Sequence, residues 1–385
     1  MPGLRPSRRG AVAPFVVMEV LAAANRRAAG GAAVFHLEIG EPAGGPPEPV
    51  LEAARRALGS VSLGYGEAPG LWALRAAIAR LYRDRYGVDL PPARIVVTAG
   101  ASGAFVLAFL AAFDAGDRVV VPSPGYPAYR NILRALDVEP VLLPTGPESR
   151  FQPTVAALDA LSGPIHGLVL ASPANPTGTM LSRAELAAIA AWCRARGVRL
   201  LVDEIYHGIT YEEPAASALE VEPEAIVVNS FSKYWCMTGW RLGWLVCPED
   251  LLEPVIRLAQ NLYIAPSTIA QHAALAALDQ GPALDARVAL YRRNRDRLVA
   301  ALRAGGLARI APPDGAFYLW VDIRDRGEPA TAFCRRLLEE TGIALTPGID
   351  FDPERGEGWV RISFAGPEEE VARAAERLAA WLARA

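Results

Sequence analysis

The stretch Ala225-Ile226-Val227-Val228-Asn229-Ser230-Phe231-Ser232-Lys233 runs from an apolar segment into a polar loop that carries the only lysine of the chain. The apolar part predicts a buried strand that ends at the loop. The other 38 of the 39 basic residues are arginines. Arginine stays protonated, whereas a desolvated lysine can lose its proton near neutral pH and act as a nucleophile. Either compositional bias alone left this one lysine, or Lys233 was retained because its amine is needed for chemistry.

Short β-rich runs alternate with helical patterns on both sides of this loop. Seven runs are predicted strands: 94–98, 118–121, 139–143, 167–171, 199–203, 225–230 and 242–246. Three helices are predicted between them, 102–113, 126–136 and 182–196, the last with a capping box at Ser182 and Glu185. This alternation is typical of an α/β fold in which helices cover both faces of a mostly parallel sheet, giving three layers.

After residue 247 the pattern changes to long helices at 251–262, 267–278 and 284–302. A final α+β part follows, with predicted strands at 316–321 and 359–364 and predicted helices at 330–341 and 367–385. We expect a large domain over residues 45–275 and a smaller α+β domain over 276–385, completed by an N-terminal arm at 1–44. An apolar helix face in this arm predicts packing on the body or on a partner subunit: Phe15, Val16, Val17, Val20 and Leu21.

Composition and charge exclude several classes of protein. The net charge is −3 with no basic cluster beyond the N-terminus, which argues against a nucleic-acid partner. No apolar run reaches the roughly 18 residues that cross a bilayer, so no membrane partner is expected. The four cysteines form no CxxC pair and the four histidines have no metal-ligand spacing, which predicts free thiols in a reducing cytoplasm and no metal site. Small molecules remain as partners.

Polar residues follow several predicted strands, and parallel sheets bind ligands at the carboxyl ends of their strands. The residue types there match the needs of pyridoxal phosphate, which requires an amine for its aldehyde and a carboxylate for its pyridine nitrogen. Lys233 is the candidate amine. Asp203 is the candidate carboxylate, because a carboxylate buried at a strand end is costly unless it meets a cation. The alternative for Asp203 is a helix cap.

Further residues at the strand ends complete this cofactor site. Tyr206 and Asn175 are placed to reach the phenolic oxygen, and Tyr126 to lie against the ring. Ala101 and Ser102 begin a predicted helix after Gly100, where backbone N–H groups and the helix dipole attract a phosphate. The loop of the lysine adds further phosphate ligands: Ser230, Ser232 and Arg241. The alternative for each of these residues, considered alone, is an ordinary structural role as a core aromatic, a turn residue or a helix cap.

Several motifs, in order and well spaced, resemble the class I/II aminotransferases of fold type I, which depend on pyridoxal phosphate. They are Ser-Pro-Ala-Asn-Pro-Thr-Gly at 172–178, Asp-Glu-Ile-Tyr at 203–206, Ser-Phe-Ser-Lys at 230–233 with Arg241, and Val-Arg-Ile-Ser-Phe at 360–364. The resemblance extends from about Phe15 to the C-terminus. One departure lies at 347–352, where many relatives have a Phe-Gly pair after the Pro-Gly and this chain reads Pro-Gly-Ile-Asp-Phe-Asp, and it concerns the substrate side of the site.

The resemblance implies roles for individual residues. Lys233 forms the Schiff base with the cofactor and then moves the proton between substrate and cofactor. Arg361 binds the substrate α-carboxylate as a bidentate pair, with Asn175 beside it, and Gly40 belongs to an N-terminal loop that closes over the substrate. Tyr65 is lent across a homodimer to the phosphate of the neighbouring subunit, so two subunits build each site.

The expected function is therefore amino transfer from an L-amino acid to a 2-oxo acid, with Lys233, Asp203 and Tyr206 as the catalytic residues. Aspartate is the first expected donor. The alternative is a pocket for aromatic or branched side chains, lined by Trp72, Trp235, Tyr263, Phe317 and Trp320. A β-lyase, a decarboxylase or a cyclopropane-forming synthase would use the same cofactor residues. A ligand-binding regulator would need a DNA-binding module, for which residues 1–44 are too short.

Overall fold

The computed structural model describes residues 4–384. Residues 1–3 and 385, at the ends of the predicted arm and of the last predicted helix, lie outside the described residues. The strands are β1 Phe35–His36, β2 Ile95–Thr98, β3 Arg118–Ser123, β4 Glu139–Pro144, β5 Gly167–Ala171, β6 Arg199–Asp203, β7 Ile226–Ser230, β8 Gly243–Val246, β9 Tyr318–Asp322, β10 Ile343–Ala344, β11 Thr346–Pro347 and β12 Trp359–Ser363.

The helices are α1 Val16–Ala29, α2 Glu48–Ser60, α3 Trp72–Tyr86, α4 Gly100–Ala112, α5 Pro127–Ala135, α6 Val155–Asp159, α7 Arg183–Arg196, α8 Glu249–Leu262, α9 Thr268–Ala277, α10 Gly281–Ala304, α11 Ala330–Thr341 and α12 Glu368–Leu382. None of these helices combines the length and the apolarity needed to cross a bilayer. Within residues 4–384, no three His, Cys, Asp or Glu side chains are grouped so that they could hold a metal ion.

Seven strands form the large sheet in the order β2-β8-β7-β6-β5-β3-β4. Only β8 runs antiparallel to its neighbours, and the other neighbouring pairs are parallel. Leu168 and Leu170 of β5 face one apolar core with α3, α7 and α9, whereas Val169 faces a second core with α4, α5 and α8. Since both faces are covered, the predicted three-layer, mostly parallel α/β fold is confirmed.

A smaller antiparallel sheet, β11-β12-β9, lies in the C-terminal part, and β1 pairs with β10 in a separate parallel pair. Phe35 and His36 therefore join Ile343 and Ala344, which attaches the N-terminal segment to the C-terminal part. The division of the chain at residues 44 and 275 stays a prediction. Helices α2 and α3 were not predicted from the sequence.

Local sequence signals explain where helix α7 begins and ends. Ser182 accepts a hydrogen bond from the Glu185 amide, and the Glu185 carboxylate accepts one from the Ser182 amide, which is the predicted capping box. The helix ends at Gly197, whose φ of 64° is a left-handed conformation that glycine adopts without steric cost. The next strand, β6, then delivers Asp203 to the carboxyl end of the sheet.

Candidate active site

A cavity of about 300 Å³ opens at the carboxyl ends of the parallel strands. Eleven of the predicted site residues line it: Gly40, Ala101, Ser102, Tyr126, Asn175, Asp203, Tyr206, Ser232, Lys233, Arg241 and Arg361. The parallel pairing of β5, β6 and β7 brings three of the loops together, because Ala171 is in register with Asp203, and Asp203 with Val228. Residues more than 50 positions apart in sequence thus meet in one cavity.

Lys233 lies just beyond β7, and its amine is enclosed. Its Nζ donates a hydrogen bond to the carbonyl oxygen of Gly40 at 2.6 Å and lies 5.8 Å from the centre of the Phe317 ring. Burial, with the nearby Arg361 guanidinium as the second cause, lowers the pKa of Lys233 to about 8. Because the amine is partly unprotonated near neutral pH, it can act as a nucleophile and as a base.

Asp203 is buried at the end of β6, and its carboxylate is met by neutral donors. Tyr129 donates its hydroxyl proton to Oδ2 at 2.5 Å, and the Ile205 amide donates to Oδ1 at 3.1 Å. Burial raises the pKa of Asp203 to about 6, although both hydrogen bonds act in the opposite direction. A carboxylate desolvated in this way is suited to a cationic ligand such as a protonated pyridine ring.

Tyr129 is a site residue that the sequence analysis missed. It is 3 % exposed and belongs to the apolar core beneath α5, which is how a buried aromatic residue is ordinarily interpreted. Burial and the neighbouring Asp203 raise the pKa of its phenol well above the usual value, so it stays a donor. The available signal was its position one helical turn after Tyr126, which places both rings at the same strand ends.

Tyr206 and Asn175 lie in the cavity wall. Tyr206 is oriented by Tyr318, which was not predicted, and Asn175 by Arg361, which was. The hydroxyls of Tyr206 and Tyr318 are 2.8 Å apart, and Asn175 Oδ1 accepts a hydrogen bond from Arg361 Nη1 at 3.0 Å. Gly40 approaches Tyr318 so closely that a Cβ at this position would lie 1.8 Å from the Tyr318 hydroxyl. This contact explains the glycine in the N-terminal loop.

Arg361 extends from β12 and is buried between two rings. Its guanidinium carbon lies 4.4 Å from the Tyr318 ring centre and 4.6 Å from that of Phe351. Its Nη2 donates to the carbonyl oxygen of Glu38 at 2.5 Å. Within residues 4–384 its Nε has no hydrogen-bond partner, so one N–H donor of this guanidinium is unused.

The predicted phosphate ligands cluster at the N-terminus of α4. Gly100 has a φ of 73°, and a Cβ there would lie 2.6 Å from Arg241 Nη2, so the glycine lets the guanidinium approach the helix end. The first amides of α4 lack intrahelical acceptors and can bind an anion. Ser230 does not line the cavity, and its hydroxyl lies 2.9 Å from Ser232 Oγ and 3.0 Å from the Leu242 carbonyl oxygen.

Tyr65 is not brought to this cavity. It is 90 % exposed and lines a separate opening of about 400 Å³ between residues 63–66 and 265–269. A role for Tyr65 in the site of its own subunit is therefore not supported by this arrangement.

The five aromatic residues named as the alternative pocket lining are not at this site, because none of them lines the cavity. Trp235 packs against Phe231 and Trp244, and Trp320 stacks on Trp359, so both rings fill cores. The apolar lining comes from other residues, which sequence distance concealed: Phe15, Val17, Met18, Ile39, Phe105 and Ile205.

Comparison with known proteins gives matches over nearly the whole chain. The sequence model of the family "Aminotransferase class I and II" matches residues 32–378. A valine–pyruvate aminotransferase of Mycobacterium tuberculosis is 50 % identical over 383 residues, which are 98 % of each chain. An aspartate/prephenate aminotransferase of Thermus thermophilus is 36 % identical over 92 % of each chain. The crystal structure of an aminotransferase from M. tuberculosis superposes with a TM-score of 0.97, at 48 % identity and full coverage of both chains.

The raised pKa of Asp203 predicts that this carboxylate destabilises the ligand-free protein. The destabilisation is fully present above pH 6, where the folded protein holds an ionised Asp203, and vanishes below about pH 4, where both states are protonated. We expect Asp203→Asn to raise the free energy of unfolding at pH 7.5 by about 1–3 kcal/mol, and to have little effect at pH 4. Urea unfolding of the ligand-free protein at both pH values measures this difference.

The matched control is Asp250→Asn, which removes an exposed carboxylate paired with Arg199. This control is expected to lower stability by no more than about 1 kcal/mol. A loss of stability in Asp203→Asn at pH 7.5 would instead identify Asp203 as a structural helix cap.

Proposed function

Because this chain belongs to the class I and II aminotransferases, which are pyridoxal-phosphate-dependent transaminases, we propose that it moves the amino group of an apolar L-amino acid to a 2-oxo acid at the cavity around Lys233. The observation that carries this assignment is the pairing, in one cavity, of a half-buried amine with a pKa of about 8 and a buried carboxylate that forms no ion pair within residues 4–384.

The described residues fit the cofactor of the family. Asp203 would hold the pyridine nitrogen, Tyr126 would lie against the ring, and Tyr206 with Asn175 would bind the phenolic oxygen. The phosphate would meet the α4 N-terminus together with Arg241 and Ser232, and Ser230, at the end of β7, would hold the Ser232 hydroxyl. When bound, pyridoxal phosphate supplies an aldehyde that takes up an amine and a protonated ring that stabilises negative charge at the substrate Cα.

Lys233 would serve as the base that moves the substrate proton. A base is most effective when its pKa lies near the working pH, and the pKa of about 8 at Nζ meets this condition. The carbonyl oxygen of Gly40 accepts a hydrogen bond from Nζ at 2.6 Å and orients the free amine. Tyr129 would keep the Asp203 carboxylate in position through its short hydrogen bond.

Arg361 would bind the substrate α-carboxylate, as the bidentate geometry of a guanidinium allows. Asn175 and the Glu38 carbonyl oxygen fix two of its nitrogens, and the flanking rings of Tyr318 and Phe351 exclude water from its faces. A charge-assisted hydrogen bond in such a setting contributes about 1.5–3 kcal/mol.

The charges of the cavity favour an apolar substrate side chain. Its charged residues are Asp203, Lys233, Arg241 and Arg361, and the proposed cofactor and α-carboxylate contacts engage all four. No cation lining this cavity in residues 4–384 is left for a second carboxylate, and the rest of the wall is largely apolar. The relative named a valine–pyruvate aminotransferase agrees with a branched donor. Aspartate is the second candidate, favoured by relatives of that name, and it would need an arginine from a partner subunit.

We also propose a cytoplasmic homodimer with shared sites. The four cysteines are buried and free, which is compatible with a reducing compartment. Leu63, Tyr65 and Ile264 are exposed around the opening at residues 63–66 and 265–269, and a second copy of the chain would cover them. Tyr65 would then reach the phosphate of the neighbouring subunit.

We expect Lys233→Ala to abolish turnover and the visible absorbance of the lysine-bound cofactor, since no other lysine exists to replace it. Lys233→Arg should also abolish turnover and this absorbance, because arginine keeps the positive charge but has no nucleophilic amine. Borohydride reduction of the loaded wild type should attach the cofactor to the peptide containing residue 233. In the control Arg80→Lys, which adds an exposed lysine, the label should stay at residue 233. Retained transamination in Lys233→Ala would refute the assignment.

A panel of amino donors tests the substrate class. In the first half-reaction, followed by conversion of the cofactor to its amine form, valine should exceed aspartate by at least about tenfold in kcat/KM, because an apolar wall leaves a second carboxylate unpaired. A preference for aspartate would select the second candidate. Release of ammonia and pyruvate from a cysteine conjugate, or of carbon dioxide, would indicate a lyase or a decarboxylase instead.

Shared sites predict complementation between two inactive variants. Lys233→Ala and Tyr65→Ala, expressed together, should form mixed dimers in which one of the two sites has both residues intact. Random mixing makes half of the dimers mixed, so about a quarter of wild-type activity is expected. Each variant expressed alone is the control. Absence of rescue, despite mixed dimers in native mass spectrometry, would show that Tyr65 is not lent across the interface.

A further inference from the structure

The loop at residues 347–352, where the sequence departs from its family pattern, contains a buried acid that contacts a distant helix. Asp350 is 3 % exposed, and its Oδ2 accepts a hydrogen bond from the Val17 amide at 3.2 Å. Helix α1 begins at Val16, and its N-cap residue, Phe15, has no side chain that can cap it. Asp350 therefore caps α1 from 333 positions away, where a carboxylate also meets the positive end of the helix dipole.

The capped end of α1 forms part of the cavity wall. Phe15, Val17 and Met18 line the cavity beside Ile39. The Phe15 ring lies 6.0 Å from that of Tyr126, which faces the same space. These three residues cover apolar surface next to the proposed cofactor position, so they are placed to contact a substrate side chain.

Few other polar contacts fix this segment. Asn131 Nδ2 donates to the Ala13 carbonyl oxygen at 3.3 Å, and Arg9 pairs with Asp137 at 2.7 Å on the surface, where an ion pair contributes little. Asp350 is itself held, because Arg130 Nη2 donates to its carbonyl oxygen at 2.6 Å. The buried carboxylate is thus the strongest polar link between α1 and the body of the protein.

The same loop also supports the proposed carboxylate-binding arginine. Phe351, the next residue, packs its ring against the Arg361 guanidinium at 4.6 Å, and its carbonyl oxygen accepts a hydrogen bond from the Gly125 amide at 3.1 Å. One loop therefore contacts both the arginine proposed for the α-carboxylate and the apolar N-terminal end of α1.

We propose that Asp350 is a positioning residue for substrate selection: by holding the N-terminus of α1, it fixes Phe15, Val17 and Met18 as the apolar wall that recognises the donor side chain. This proposal rests on the proposed function, since it concerns how apolar donors are distinguished by size.

The experiment compares kcat/KM for valine and for alanine in the first half-reaction. In Asp350→Ala the valine-to-alanine ratio should fall about tenfold or more, because an apolar wall discriminates through the added methyl groups of the larger substrate. Asp350→Asn should keep the ratio within about threefold of wild type, since its amide oxygen still accepts the Val17 proton. Hydrogen exchange at residues 16–18 should be faster in Asp350→Ala and close to wild type in Asp350→Asn.

Thr154→Ala is the matched control, because it removes the cap of α6, outside the cavity, and should leave the ratio unchanged. Phe15→Ala tests the wall independently of folding defects in Asp350→Ala, and should also lower the ratio. An unchanged ratio in Phe15→Ala, or an equal loss for both donors in Asp350→Ala, would overturn the proposal. Failure of the proposed function would look different, because the wild type itself would convert its cofactor with neither donor.

Discussion

Desolvation of two titratable side chains in one cavity is the constraint on which the site depends. Two neutral hydrogen-bond donors stabilise the ionised form of the buried Asp203 carboxylate. Nearby arginines disfavour the protonated form of Lys233. Burial destabilises the charged form of both groups, because it raises the pKa of the acid and lowers that of the amine. Such a pair persists only when the surrounding fold is stable enough to tolerate it, and a charged ligand relieves it.

The fold tolerates these two desolvated groups because the large sheet is rigid at the ends of β6, which carries Asp203, and β7, which precedes Lys233. Strands β6 and β7 are neighbours, parallel and buried on both faces, so their carboxyl ends cannot shift without exposing apolar surface. Since the sheet supplies the stability, the loops after its strands are free to carry polar residues. The parallel topology thus brings acid, amine and amide to one edge.

The parts of the structure that the sequence predicted are those encoded locally. The strands of the large sheet are continuous apolar runs, and α7 has a complete capping box, so neighbouring residues suffice to identify them. Helices α2 and α3 lie outside the strand–helix alternation from which the other helices of the large domain were predicted, and neither has a side-chain cap. Lys233 and Asp203 could be identified because their chemistry restricts the residue type. Tyr318 could not, because a buried tyrosine becomes a site residue only through the partner that folding gives it, and for Tyr129 the spacing from Tyr126 was the one signal.

The apolar wall of the cavity was also not predictable from local sequence. It further indicates which parts of the chain determine the choice of substrate. Trp235 and Trp320 resemble pocket residues by composition but fill cores, whereas Phe15 and Met18 line the cavity at the end of α1 that Asp350, from the other end of the chain, caps. The proposed cofactor contacts come mainly from the ends of the large sheet, and the proposed substrate contacts come from both chain termini. Since the two sets lie on different elements, the termini can change donor preference while the strands that hold Asp203 and Lys233 stay as they are. Relatives with different named donors over the same fold are what this separation would produce.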